Sequence, residues 1–383
     1  GCFAVADVLF FADIEITGGT GVFFFRLLEY LCCKHHVRLI LEQKHLKNID
    51  IRKKIKNLCK VPIIPYIRAF RIEHFIYRVF RKLHLEIPYL YYRDLVLLHR
   101  IQKKYKSDFF IFSQGGGTKW FSVFQLKTPS IFFIHSLYSS DTEQTNRHFL
   151  KKQKITFNAK TKIIHVSQYA VETFKKNVYS PILASYAYCI PTYGIVPINK
   201  TQRKLQLEQS EKKITVLTIG HVVEYKNPAF WFKIARILCN EYKHVKFIWA
   251  GNGAEYQKYV LLAEGDKQIF FIGYQSNTAQ LYMNADIYFQ PSIMETQGIA
   301  VVEAMACGLP CVVSDNGGLP ESVQDKLNGF VCNIDNTDKT ISALTSLIKS
   351  EKLRNDMGKK SIDLFKKKFT KAIWEKHLHD LFV

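Results

Sequence analysis

Two glutamates with seven residues between them, Glu295 and Glu303, stand in the segment PSIMETQGIAVVEAMACGLPCVVSDNGGLPE, residues 291 to 321. Glu295 falls in the loop after an apolar run. Glu303 falls inside the run IAVVEAMA, where a carboxylate is seldom left unpaired. Gly298 lets the backbone turn closely at the entrance of the helix that carries Glu303. Such a helix N-terminus offers unpaired N–H groups and the positive end of a dipole, so a diphosphate can rest there while the carboxylates accept hydrogen bonds from sugar hydroxyls. Upstream, TIGHVVEYKNP puts Lys226 in a loop after a strand, from which its ammonium can reach a phosphate as a point charge. In the first half, Gly18 and Gly19 open a helix just after the first strand, another place where backbone N–H groups can approach a phosphate, and His135 ends the strand IFFIH.

These residues need a scaffold that brings strand ends together, and the sequence supplies one. Short β-branched and aromatic runs alternate with longer helical stretches, the signature of parallel α/β architecture. In the first half, strands are expected at 5–13, 37–41, 109–113, 131–135 and 162–166, with a helix at 22–34. The polar stretch INKTQRKLQLEQSEK at 198–212 has no core face and reads as a linker between an N-terminal domain, 1–197, and a C-terminal domain, 213–383. In the second half, strands are expected at 214–220, 245–250, 269–272, 286–289 and 311–313. Helices alternate with them at 228–240, 255–263, 277–283 and 299–306, and three more, near 338–349, 351–368 and 371–381, close the chain. Ligands of doubly wound sheets bind at the carboxyl ends of strands, where Lys226 and Glu295 are expected.

The glutamate pair, the following E-A-M-A-C-G-L-P and then G-G-L-P-E resemble the retaining glycosyltransferases of family 4. The resemblance covers nearly the whole chain and is strongest from 214 to 335. It implies an α/β GT-B architecture, two Rossmann-like doubly wound domains facing a central cleft, with the first binding the acceptor and the second the nucleotide sugar. It also implies that Glu295 contacts donor sugar hydroxyls, that the backbone of Gly298, Ile299 and Ala300 meets the sugar and diphosphate, and that Glu303 binds the nucleotide ribose. Lys226 matches the family's diphosphate-binding lysine, whereas His221 stands where the family has an arginine. Tyr274, ending IFFIGY, lies near the expected nucleobase, and His135 matches a histidine that points toward the donor sugar. CIPTYGIV aligns with the family's I-P-N-G loop but has Tyr193 in place of the asparagine. Such enzymes need no metal and no cofactor, the nucleoside-diphosphate sugar being the donor substrate and the departing phosphate itself accepting the acceptor's proton. A nucleotide-sugar 2-epimerase of the same architecture is the competing reading.

Composition limits what else the chain can be. With 383 residues, 48% hydrophobic and 23% charged, it is neither disordered nor a coiled coil. Residues 34–106 carry +14 of the net +21, a patch that attracts phosphates of some kind. No nucleic-acid-binding motif accompanies the charge, and a nucleic-acid partner is not expected. Within 66–83, YIRAFRIEHFIYRVFRKL, the residues Ile72, Phe75, Ile76, Val79, Phe80 and Leu83 recur at helical spacing, with Arg68, Arg71, Arg78, Arg81 and Lys82 mostly on the remaining arc. That pattern predicts a basic amphipathic helix suited to an anionic membrane surface, and with it a glycan or lipid-linked acceptor. The nine cysteines include no C-x-x-C pair and are read as reduced, with Cys32, Cys33, Cys307 and Cys311 as buried small hydrophobes. The opening GCFAVADVLFFADIE has neither a basic n-region nor a small-residue cleavage site, no run reaches the length of a spanning helix, and a cytoplasmic location is expected.

Overall fold

Strands buried on both faces read as continuous apolar runs, and those runs form two all-parallel sheets in the computed structural model. It describes residues 5–13, 18–42, 45, 47–58, 61–66, 79, 82–83, 86–114, 122–123, 126, 128–137, 160–178, 181–194 and 213–382. The chain divides into a first unit, Gly1–Ile190 with His379–Val383, and a second unit, Pro191–Leu378.

The first unit runs β1 (Asp7–Asp13), α1 (Gly18–Lys34), β2 (His36–Glu42), α2 (Ile49–Leu58), β3 (Ile63–Tyr66), α3 (Glu86–Tyr105), β4 (Phe109–Gln114), β5 (Ser130–Ile134), β6 (Lys162–His165), α4 (Gln168–Asn177), α5 (Pro181–Ser185) and β7 (Ala187–Cys189). Its sheet has the order β3-β2-β1-β4-β5-β6-β7. Phe11, Phe112 and Phe132 stack through the core, with centroids 4.8 Å apart for Phe11–Phe112 and 4.6 Å for Phe112–Phe132, and Phe110 packs edge-on against Phe11 and Phe112. Burying each such ring contributes about 2 to 3 kcal/mol. Ser167 caps α4, its side chain accepting from the Ala170 N–H at 3.1 Å.

The second unit runs β8 (Ile214–Ile219), a short 3-10 turn (Glu224–Lys226), α6 (Pro228–Glu241), β9 (Val245–Ala250), α7 (Tyr256–Leu262), β10 (Ile269–Phe271), α8 (Thr278–Met283), β11 (Ile287–Gln290), α9 (Ile299–Ala306), β12 (Cys311–Ser314), α10 (Leu319–Ser322) and β13 (Gly329–Cys332). It closes with α11 (Thr337–Lys349), α12 (Glu351–Lys368) and α13 (Lys371–His379). The order β10-β9-β8-β11-β12-β13 is that of a dinucleotide-binding sheet, and its direction of winding reverses between β8 and β11. Trp231, Trp249 and Phe271 pack edge-on and stacked beneath it, with centroids 5.2 to 6.0 Å apart.

Four expectations need correction or qualification. The boundary falls at Ile190, not at 197, because Pro191–Gly194 are held by the second unit. Gln297 makes hydrogen bonds to both the N–H and the C=O of Thr192, at 2.9 and 3.0 Å, and the Gly194 N–H donates to the Phe369 carbonyl at 3.3 Å. Tyr66 belongs to strand β3 and not to a helix; Pro65 is tolerated there because β3 is the sheet edge, and nearly all of 66–83 beyond it lies outside the described residues, as does 198–212. Cys33 is exposed and Cys32 half-buried, because the buried face of α1 is set by Leu27, Leu28 and Leu31. Finally, α1 begins at Gly18, so Gly18 and Gly19 sit inside its first turn.

Candidate active site

The carboxyl ends of β8 and β11 part at the reversal point, since the two strands are paired only as far as Leu217 and Tyr288. The loop after β8 carries Gly220, exposed His221 and Lys226; the loop after β11 carries Glu295. A single carbonyl ties the loops together, Tyr225 O accepting from the Ile293 N–H at 2.8 Å and the Met294 N–H at 3.4 Å. Lys226 is followed by Asn227 in the left-handed region (φ 59°), which caps α6 by accepting from the Phe230 N–H at 3.3 Å. Pro228 then occupies the first helical position, where no donor is lost.

Lys226 and Glu295 meet there as an ion pair, Nζ to Oε2, with side chains only 16% and 14% exposed. Oε2 also accepts from Gln290 Nε2 at 2.9 Å, while Oε1 has no hydrogen-bond partner among the described residues. Two glycines shape the glutamate loop. Gly317 has φ +67°, and a Cβ on it would lie 1.9 Å from the Glu295 carbonyl, so only glycine permits this approach. Its neighbour Gly318 donates its N–H to the same carbonyl at 3.0 Å. The G-G-L-P segment therefore holds the backbone of Glu295.

Gly298, with φ +82°, precedes α9, and no side chain caps that helix. The N–H groups of Ile299 and Ala300 make no hydrogen bond among the described residues, which leaves donors and the positive end of the helix dipole at this loop. Glu303, one turn further and half-buried, lies 3.3 Å from the hydroxyl of buried Tyr282. Burial, and secondly the Glu303 charge, push the Tyr282 phenol well above its ordinary pKa, so it remains a donor. Tyr274 is 74% exposed, with its N–H donating to Asn252 Oδ1 at 3.0 Å. The turn GNGAE packs backbone to backbone on the lysine loop: the Val222 N–H donates to Asn252 O and the Glu255 N–H to Val222 O, both at 3.0 Å.

The second unit thus gathers His221, Lys226, Glu295, Gly298, Ile299, Ala300 and Glu303 on the loops and helix end that follow β8 and β11. Tyr274 follows β10. His135, Gly18 and Gly19 belong to the first unit. His135 is 6% exposed, its Nε2 is 2.8 Å from Ser113 Oγ, and its ring centroid is 4.5 Å from that of Phe23; burial lowers its pKa to about 3. Sequence reasoning missed Gln290, Tyr288, Tyr282 and Gln297. The readable signal for Gln290 was a polar residue closing the apolar strand IYFQ.

The family model for glycosyl transferases group 1 matches residues 199–363. The second unit belongs to the glycosyl transferases group 1. A segment of the chain is 31% identical over 119 residues to an N-acetyl-α-D-glucosaminyl L-malate synthase of Bacillus anthracis, covering 30% of this chain and 31% of that protein. Another is 26% identical over 172 residues to a UDP-Gal:α-D-GlcNAc-diphosphoundecaprenol α-1,3-galactosyltransferase of Escherichia coli, covering 42% of this chain and 43% of that protein. Each match spans less than half of the relative's length. Over both units, the chain superposes on the Anabaena protein HepE, crystallised with UDP and glucose, with a TM-score of 0.71 at 15% identity, covering 97% of this chain and 98% of that one. That likeness is one of fold: the chain has the GT-B architecture, with the group 1 domain as its second half.

Proposed function

We propose that this protein is a retaining, metal-independent glycosyltransferase that moves a sugar from a nucleoside-diphosphate sugar to a glycan or lipid-linked acceptor in cell-surface polysaccharide synthesis. The observation that carries the reading is the half-buried Lys226–Glu295 pair at the β8/β11 reversal point, beside the uncapped N-terminus of α9. A diphosphate matches the lysine and the Ile299 and Ala300 N–H groups. Sugar hydroxyls match the open Oε1 of Glu295, and Glu303 is one helical turn beyond as the ribose contact. His221 adds an imidazole contact to the diphosphate beside Lys226, and Tyr274 a face for the base. With its pKa lowered to about 3, His135 is an uncharged imidazole in this scheme, one ring nitrogen a donor and the other an acceptor. Positioning and charge stabilisation supply the acceleration, the departing phosphate accepting the acceptor's proton.

The B. anthracis and E. coli relatives support the choice of sugar transfer over other chemistry, and the second is named for a UDP-sugar donor and a diphosphoundecaprenol acceptor. A surface role for the basic first unit is part of the proposal. No helix among the described residues is long and apolar enough to cross a membrane. Yet α2 exposes Arg52, Lys53 and Lys56 beside Ile49, which is 58% exposed, so a peripheral contact with an anionic cytoplasmic membrane face has both charge and apolar surface.

Thermal shift across UDP- and GDP-sugars tests the donor, because a ligand of the native state raises its stability logarithmically with concentration. The selected donor should yield transferred product only with acceptor, with the anomeric configuration retained and the rate unchanged by EDTA. A sugar altered without acceptor would mark the 2-epimerase instead. Sedimentation with anionic but not neutral liposomes, reversed near 0.5 M salt where the screening length is a few ångströms, tests the surface contact.

A further inference from the structure

We infer that Gln290 is a positioning residue for Glu295, and that Tyr288 sets the orientation of its amide. Gln290 ends β11, is 2% exposed, and has every polar hydrogen and its carbonyl engaged. Nε2 donates to Glu295 Oε2 at 2.9 Å and to Ser292 Oγ at 3.2 Å; Oε1 accepts from the Tyr288 hydroxyl at 2.9 Å. The reverse amide orientation would turn a carbonyl oxygen toward a carboxylate, so the Glu295 charge itself selects this one. Tyr288 is fully buried; its hydroxyl accepts from the Ile219 N–H at 3.4 Å, where β8 and β11 part, and the Ile219 carbonyl at 3.3 Å is a more distant acceptor for its proton than Gln290 Oε1 at 2.9 Å. Burial drives its phenol well above its ordinary pKa, so it stays a donor.

The consequence concerns the moment at which a donor binds. Lys226 is at once the counter-ion of Glu295 and the cation expected to take the diphosphate. A diphosphate that draws Lys226 away leaves a 14% exposed carboxylate with one protein donor among the described residues, Gln290 Nε2. That bond keeps Oε2 fixed and Oε1 directed outward. The inference rests on the transferase reading for what Glu295 does, and on the geometry alone for how Glu295 is held.

The test compares wild type with Gln290→Leu, Gln290→Glu and Tyr288→Phe, using the nucleoside-diphosphate sugar that gives the largest thermal shift in the donor screen. Gln290→Leu is expected to lower kcat by about 10- to 100-fold, the value of a hydrogen bond to a charged group, while donor KM moves less than about threefold. Gln290→Glu should be as poor at pH 8, where two carboxylates face each other, and regain about fivefold or more at pH 6 relative to wild type, because a protonated carboxyl restores a donor toward Oε2. Tyr288→Phe should lose about two- to fivefold in kcat. Wild-type kcat in Gln290→Leu overturns the inference. If that variant melts below the assay temperature, the Gln290→Glu profile decides: one parallel to wild type overturns the inference equally.

An arm without any donor separates this from the transferase reading. In the free protein the side-chain amide protons of Gln290 should exchange slowly by NMR, and rapidly in Glu295→Ala. Slow exchange in both proteins would show that Glu295 does not engage the amide, whatever the reaction. Slow exchange lost in Glu295→Ala, with no donor bound or used, would leave the holding geometry intact and count against the transferase.

Discussion

The two sheets wind alike, β3-β2-β1-β4-β5-β6 in the first unit and β10-β9-β8-β11-β12-β13 in the second, yet the side chains at their carboxyl ends are of opposite kinds. In the first, β5 is followed by His135 and β6 ends in His165, both buried, both packed on phenylalanine rings, and both pushed down to a pKa of about 3 by burial. In the second, the strand ends carry an ion pair, a carboxylate with an open oxygen and an uncapped helix. Topology fixes where a crevice forms. Whether it holds charge ready for a ligand is decided by a few side chains, and among the described residues that readiness lies in the second unit.

The largest effect expected from breaking this contrast is at Lys226 and the two glutamates. Lys226→Ala and Glu303→Ala should each lower kcat/KM by about 10- to 100-fold with the fold retained, since each removes a charge-assisted contact worth about 1.5 to 3 kcal/mol. Glu295→Gln should keep more activity than Glu295→Ala, because the amide retains an acceptor. Unchanged kcat/KM in both Lys226→Ala and Glu303→Ala would remove the site from the second unit.

The same contrast explains what could be read in advance. The glutamate segment was legible because glycine at 298 and 317 is dictated by backbone geometry, φ of +82° and +67°, and leaves its mark in sequence. The strands that form the middle of each sheet, and the edge strand β10 with its run IFFI, were legible as apolar runs, whereas the edge strands β3, interrupted by Pro65, β7, AYC, and β13, GFVC, offer no such run. Lys226 and Glu295 were each identified, but their pairing was not, since 69 positions separate them in sequence. Gln297 reaches across 105 positions to Thr192, which is why the boundary appeared at the polar stretch and not where the backbone is held. His135 was read as a residue open to a ligand, and only packing against Phe23 and Ser113 reveals a buried neutral ring.

The next effect lies in the first unit and is one of stability. His135 and His165 remain neutral when folded but bind protons when unfolded near the ordinary value of 6.5, so the unfolded state gains protons as pH falls. Their contribution is therefore intact above pH 6.5 and is lost progressively from there toward about 3. By pH 5.5 the loss is about 1.4 kcal/mol per histidine, on the order of 3 kcal/mol for the two. Three of the four tryptophans, Trp231, Trp249 and Trp374, belong to the second unit and Trp120 to the first, so in a Trp120→Phe variant the emission should report a later transition than far-UV ellipticity when the chain is heated at pH 5.5. Coincident transitions at pH 5.5, or an acid slope unchanged in a His135→Phe/His165→Leu variant, would place the acid sensitivity elsewhere.

A smaller loss is expected from Gly317→Ala. The added Cβ would meet the Glu295 carbonyl at 1.9 Å, and the φ of +67° is itself unfavourable for alanine, so about 1 to 3 kcal/mol of stability should go. Because the displaced backbone is that of Glu295, kcat should fall more than donor affinity. A variant with lower melting temperature but unchanged kcat would separate the loop's structural role from the site.

The smallest effect is expected at Tyr274. Its ring is 74% exposed, and among the described residues only its backbone N–H is engaged, so no contact there preorganises it for a base. A ring held by nothing loses on ordering much of what stacking gives, and an aromatic contact is worth about 0.5 to 1.5 kcal/mol before that cost. Tyr274→Phe should therefore leave donor KM unchanged, and Tyr274→Ala should raise it by no more than about threefold. A tenfold rise in the alanine variant would show that the base is gripped at this edge of the sheet, and would extend the ligand-ready surface of the second unit from the β8 and β11 loops as far as β10.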